Sequence, residues 1–180
     1  MKRELHIREL INRLARADAT SAWRGDLNPT QRAVLSYLAR ANRYSRSPSH
    51  VAEYLGSTRG TVSQTFKSLV QKGYVTEQKA QMDKRTIRFD LTDKGALATE
   101  EPNLMSQTMS NMDDQTKCEL AASLEKLLLG LLKENGGRAF GICSQCRHFS
   151  PRQGGGHCTL LSEDLSPSET SKICHEQDPA

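Results

Sequence analysis

The chain has 180 residues and a formal net charge of +4, with 36% hydrophobic and 26% charged residues. That is room for one domain and a small appendage, and the composition excludes a wholly disordered chain. No apolar run approaches the roughly 18 residues that span a bilayer, and the N-terminal MKRELHIREL has no secretory apolar stretch, so the sequence predicts a cytoplasmic protein with no membrane contact.

The first predicted helix covers residues 2–19. Ile7, Leu10, Ile11, Leu14 and Ala17 recur at three- and four-residue spacing and form one apolar stripe. SAWRGDLNPT breaks it at Gly25 and Pro29. PTQRAVLSYLARA is the next helix, with Pro29 in its first turn and Ala33, Val34, Leu38 and Ala41 along one side. SRSPSHVAEYLG gives a short helix, capped by Ser47 or Ser49 and ended by Gly56. STRGTVSQTFKSLVQKG gives a longer one, capped by Ser57 or Thr58 and stopped by Gly73. Its buried stripe is predicted to be Val62, Phe66, Leu69 and Val70. Its opposite face carries Arg59, Thr61, Ser63, Gln64, Lys67 and Ser68. Two helices joined by a short turn, the second with a polar outer face, predict a helix-turn-helix.

YVTEQKAQMDKRTIRFDLT then changes to period two, with Ile87, Phe89 and Leu91 alternating against Arg88 and Asp90. A basic hairpin directly after a helix-turn-helix is a wing. TDKGALATEEPNLMSQTMSNM returns to helix, capped by Thr92 or Asp93, and Pro102 is expected to kink it. Met105, Met109 and Met112 are expected in the helix core. DDQTKCELAASLEKLLLGLLKENGG is the strongest helix, with Leu120, Leu124, Leu127, Leu128, Leu131 and Leu132 on a broad apolar face. Cys118 within it is expected to be a buried structural thiol. His6 and His50 stand alone and receive no role.

The expected division is a winged-helix and dimerisation domain at 1–137, with its DNA-binding part at about 28–95, and a cysteine-rich module at 138–180. From Asn28 to Lys94 twelve Lys and Arg face five acidic residues, a surplus of seven, whereas the tail from Gly136 carries four against five. The positive field belongs to the middle and points to a polyanionic partner there.

LNPTQRAVLSYLA, the helix-turn-helix and DKRTIRFDLTDKG together resemble the MarR family of winged-helix transcription regulators, over about residues 5–135. The most specific piece is Asp83-x-Arg85, followed by the strand, Leu91-Thr92 and Gly95. No Ser/His/Asp or paired-carboxylate arrangement stands out, so no enzyme is expected, and the resemblance implies a homodimer built on the first and last helices, with two winged helices on a palindromic double-stranded operator. The fold expected is mainly α with a small β-wing, in an α-helical dimer. The polar face carrying Arg59 can enter the major groove, with Thr61, Ser63 and Gln64 as base-facing or phosphate-facing candidates and Lys67 as a phosphate contact. At the wing, Lys84 and Arg85 are candidates for DNA, with Asp83 bracing Arg85 as it enters the minor groove.

Four of the chain's five cysteines sit in the tail, at Cys143-x2-Cys146-x11-Cys158-x15-Cys174. In a reducing compartment such clustering points to metal rather than disulfides. The tail has little periodicity and too few apolar residues to fold by burial alone, so a bound metal would supply folding energy. His148, His157 and His175 lie near the cysteines as supporting groups. Four thiolates suit either a structural zinc or an iron–sulfur cluster. One close pair followed by two lone cysteines is similar to the cluster-binding small subunits of glycyl-radical decarboxylases, and Phe149 and Gly156 fit that likeness. The sequence reading is therefore a dimeric regulator that senses redox state, oxygen, nitric oxide or iron through a 4Fe–4S cluster. A zinc-stapled repressor sensing a small molecule, and an electron-transfer or cluster-carrier protein whose winged helix docks on protein, are the alternatives.

Overall fold

A computed structural model describes residues 2–23, 25–79 and 87–178. Helix α1 (Arg3–Ser21) leads into α2 (Pro29–Arg40), α3 (Pro48–Tyr54) and α4 (Arg59–Gln71). Strands β1 (Val75–Lys79) and β2 (Ile87–Leu91) pair antiparallel, with Val75 opposite Leu91 and Glu77 opposite Phe89. Then come α5 (Asp93–Glu100), α6 (Leu104–Ser110) and the long α7 (Asp114–Glu134). The fold is mainly helical with a small antiparallel wing.

Local chemistry sets these boundaries. Asn28 opens α2 with a reciprocal cap: its Oδ1 accepts from Gln31 N at 2.9 Å and its own N–H donates to Gln31 Oε1 at 3.0 Å. Ser47, Thr58 and Thr92 cap α3, α4 and α5. Pro102 separates α5 from α6 rather than kinking one helix. The residue before a proline is pushed out of the helical region, and Glu101 is extended at φ −64°, ψ 117°.

The core of the winged helix gathers Val34, Leu35, Tyr37 and Leu38 of α2, Val51 of α3, and Val62, Phe66 and Leu69 of α4. Phe89 of β2 closes it by stacking on Phe66, with ring centroids 4.0 Å apart. Val70, expected in the buried stripe, is 41% exposed. The stripe of α4 is filled by Val62, Phe66 and Leu69, and Val70 falls beyond its edge.

Gly95 shows why the turn into α5 needs glycine. Thr92 Oγ1 donates to Gly73 O at 2.7 Å and accepts from Gly95 N at 3.1 Å, which draws α5 onto Tyr74. A Cβ at Gly95 would lie 2.1 Å from Tyr74 O. Gly95→Ala is therefore expected to cost about 1–3 kcal/mol, read as a fall of several degrees in Tm. An unchanged Tm would contradict this packing.

Helices α1 and α7 bury no side chain. Leu5, Leu10 and Leu14 on α1, and Leu120, Leu124, Leu127, Leu128 and Leu131 on α7, are all exposed. Cys118 is exposed on α7, not buried. Met109 is exposed, and Met105 and Met112 are only half-buried, so the three methionines build no core. These departures share a cause: α6 and α7 stand clear of the winged-helix core.

The tail folds back. Strands β3 (Phe149–Arg152), β4 (Gly155–Cys158) and β5 (Glu163–Leu165) form an antiparallel sheet in that order, followed by the short α8 (Pro167–Thr170). Ile173 bridges Ala41 on one side and Ile142 on the other. Phe140 and Ile173 enter the winged-helix core, with the Phe140 ring 5.3 Å from that of Tyr54. The apolar burial that the tail's own sequence lacks is thus supplied by α2 and α3. Among the described residues no helix is long and apolar enough to cross a membrane.

Candidate functional site

Cys143, Cys146, Cys158 and Cys174 all line one small cavity. A 3-10 turn at Cys143–Gln145 sets the first pair, with Cys146 N donating to Cys143 O at 3.1 Å. Cys158 ends β4, opposite Phe149. Cys174 follows the Ile173 bridge, its N–H donating to Gly141 O at 2.9 Å. The remaining walls are largely apolar, with Phe149, Leu160, Leu161 and Leu165 among them. A Cβ on Gly156 would lie 2.1 Å from the Phe149 ring, so this glycine lets the ring lie flat on β4 beside the thiols. Among the described residues no three His, Cys, Asp or Glu side chains close on a single-ion site.

Donors point at the sulfurs. Asn42 Nδ2 donates to Cys143 Sγ at 3.3 Å, and Asp178 N approaches Cys146 Sγ at 3.5 Å. The Cys143 thiol bonds Cys174, and this holds Cys174 at about 6, with further help from Glu176 N–H, Asn42 and Ser45. Cys143 is pushed up by the same bond and by burial. Taken together, the pair gives up one proton readily and the second reluctantly. A thiolate already held by N–H donors in an apolar wall is the donor type a soft metal centre takes.

The histidines divide. His148 lines the cavity. His157 bonds Asp164 at 2.7 Å on the far side of the sheet. His175 leaves the thiols and stacks on His50, with ring centroids 3.4 Å apart. Its Nδ1 lies 3.2 Å from Ser45 Oγ and its Nε2 3.0 Å from Glu176 Oε1. This stack joins the tail to α3 and gives His50 a place that its isolation in the sequence does not suggest. Burial, with His175 alongside, lowers His50 to about 4. Burial also lowers His175, against the pull of Glu176.

A histidine whose folded pKa is depressed stays neutral in the native state while the unfolded chain takes up protons. The His50 contribution to stability is therefore unchanged above about pH 6.5. It falls as pH drops from there towards about 4. Lowering pH from 7 to 5 is expected to loosen the tail, with His50→Phe reducing that loss by the His50 share while the His175 and Cys174 shares remain; thermal melts against pH check it. An equal acid loss in both proteins would place the titration elsewhere.

On the recognition side, Arg59, Thr61, Ser63, Gln64 and Lys67 of α4 are all exposed, on the face opposite Val62, Phe66 and Leu69. Thr61 also serves the cap, its N–H donating to Thr58 Oγ1 at 3.1 Å. Ser68, expected on the outer face, instead accepts from Gln31 Nε2 at 3.0 Å and ties α4 to α2. Asp83, Lys84 and Arg85 lie outside the described residues.

Residues 25–86 match the MarR family model. No curated protein matches the chain. Among solved structures, a MarR transcriptional regulator from Methanosarcina mazei superposes with a TM-score of 0.58 at 26% identity, over 71% of this chain and 97% of that one. The MepR–DNA complex of Staphylococcus aureus gives 0.57 at 21% identity, over 73% and 99%. FabT of Streptococcus pneumoniae in complex with DNA gives 0.54 at 21% identity, over 72% and 94%. The family model ends before the cysteine module begins, and what that module holds has to be read from its own residues.

Proposed function

We propose that the chain is a MarR-type transcription regulator that binds operator DNA as a homodimer and senses redox state, oxygen, nitric oxide or iron through a 4Fe–4S cluster on Cys143, Cys146, Cys158 and Cys174. The DNA-binding half of this reading rests on the match to the MarR family and on the exposed polar face of α4. The structures it is similar to include MepR and FabT bound to DNA.

The observation that carries the sensing half is the convergence of four thiols on one cavity with apolar walls. These residues fit such a cluster. Four thiol donors with apolar residues around them are a donor set that an iron–sulfur cluster takes, as a structural zinc also does. Asn42 Nδ2 and Asp178 N would bond ligand sulfurs, the kind of contact that tunes a cluster's potential. When bound, the cluster would supply one-electron chemistry and sensitivity to oxidants. The chain's residues would hold it, exclude water and shape its electrostatics.

Anaerobic purification with an absorbance spectrum and assays of iron, zinc and acid-labile sulfide tests this reading. A broad visible band with iron and sulfide, lost in Cys143→Ala, is expected. A colourless protein with about one zinc per chain would replace the cluster with a structural clip.

A further inference from the structure

The segment between α2 and α3, residues 41–46, is shared by the thiol cavity and the wing. Asn42 in this corner is 1% exposed. Its Oδ1 accepts from Tyr44 N at 3.1 Å and from Ser45 Oγ at 2.7 Å. Those two bonds fix which way the amide faces and aim Nδ2 into the cavity, where it donates to Cys143. Tyr44 also lines the cavity. One wall of the thiol site is therefore built by the winged helix and not by the cysteine module.

The other end of the corner holds the wing. Arg46 O accepts from Phe89 N at 3.1 Å, and the Arg46 guanidinium pairs with Asp90 while donating to Ala41 O. On the opposite edge Ile173 N donates to Arg40 O at 2.8 Å and Asn42 N to Ile173 O at 2.9 Å. Cys143 N and Cys174 N extend this ladder to Lys172 O and Gly141 O. Backbone hydrogen bonds thus run from both cysteines through the corner to β2. Helix α7, by contrast, buries no side chain and is separated from the module by Gly136 and Gly137 in the chain.

We propose that the 41–46 corner is part of the thiol site, with Asn42 as its positioning residue, and that this corner rather than α7 carries the state of the site to the wing. The inference rests on the reading that the thiols hold a metal group. With Cys143 committed to that group, the Asn42 amide has a fixed acceptor, the corner is ordered, and β2 is held against it. When the site empties, Cys143 is released and the corner loosens together with β2.

The full chain, loaded anaerobically with ferrous iron and sulfide and separately with zinc, tests this by hydrogen exchange. Stripping the metal with a chelator is expected to raise exchange about tenfold in 41–46 and 87–91 while the centre of α7 stays unchanged. Asn42→Asp keeps both bonds accepted by Oδ1 but turns an oxygen towards Cys143. It is expected to lose metal at least about tenfold faster. Changes confined to 138–178, or seen in α7 with 87–91 unmoved, overturn the proposal, as does unaltered metal loss in Asn42→Asp. If neither metal is taken up, the metal reading fails and Asn42's role falls with it. Ile173→Asp in the metal-free chain then decides the corner: deprotection of both 41–46 and 87–91 keeps it as the link to the wing, and deprotection of 41–46 alone removes it.

Discussion

Leu124→Asp together with Leu128→Asp is expected to leave the chain monomeric and to cut its affinity for a palindromic operator by about 10²–10⁴-fold, the gain that linking two binding modules confers. Both leucines are roughly half exposed on α7, and among the described residues Leu5, Leu10 and Leu14 of α1 and Leu120, Leu127 and Leu131 of α7 are exposed as well. Burying one leucine side chain is worth about 1.5–3 kcal/mol, so a second copy covering both helices gains many such increments. Four carboxylates in that interface, two from each copy, would be desolvated without partners, which costs more than the leucines gained. Neither residue belongs to the winged-helix core, so the helix-turn-helix should remain folded. Light scattering on the purified chain and anisotropy with a labelled operator measure the two effects. A variant that stays dimeric, or a wild-type chain that is already monomeric, would move the dimer interface elsewhere or abolish it.

The winged helix was legible because local chemistry and periodicity agree there. Caps at Ser47, Thr58 and Thr92, a stripe of Val62, Phe66 and Leu69, and the alternation around Phe89 each point to the element found. Errors gathered where a face has two possible neighbours. Val70 and Ser68 sit at the margins of the α4 stripe, so one residue of rotation sends Val70 to solvent and Ser68 onto Gln31. The methionines of α6 and Cys118 of α7 look like core by pattern, but pattern does not say whether the covering partner is the same chain.

The cysteine spacing exposed a candidate site but not its surroundings. Asn42 lies 101 residues from Cys143, and Ser45 lies 130 from His175, so no local signal connects them. The tail's poor apolar content was visible, yet its remedy was not. Phe140 and Ile173 are isolated apolar residues in the sequence and become core only by docking on α2 and α3. The tail follows α7 in sequence, while its hydrogen bonds run to the α2–α3 corner.

Arg59→Ala with Lys67→Ala is expected to reduce operator affinity sharply and to flatten its dependence on salt. Both side chains are exposed on the face of α4 opposite the core. A dimer would lose four cations, and each phosphate contact contributes about 0.9 to the slope of log affinity against log salt. A fall in that slope of about 2 follows if Lys67 alone reaches phosphate in each half-site, with non-specific DNA weakened as much as the operator, and of about 3–4 if Arg59 reaches phosphate too. Gln64→Ala should behave differently. Its amide carries no charge, so the slope should stay, while discrimination at one base pair per half-site relaxes by about 1–3 kcal/mol. Running both variants at several salt concentrations on operator and scrambled DNA separates backbone contacts from base reading. A winged helix that docks on protein would show neither the slope nor the discrimination to begin with, so the wild-type curve alone decides between a regulator and a docking module.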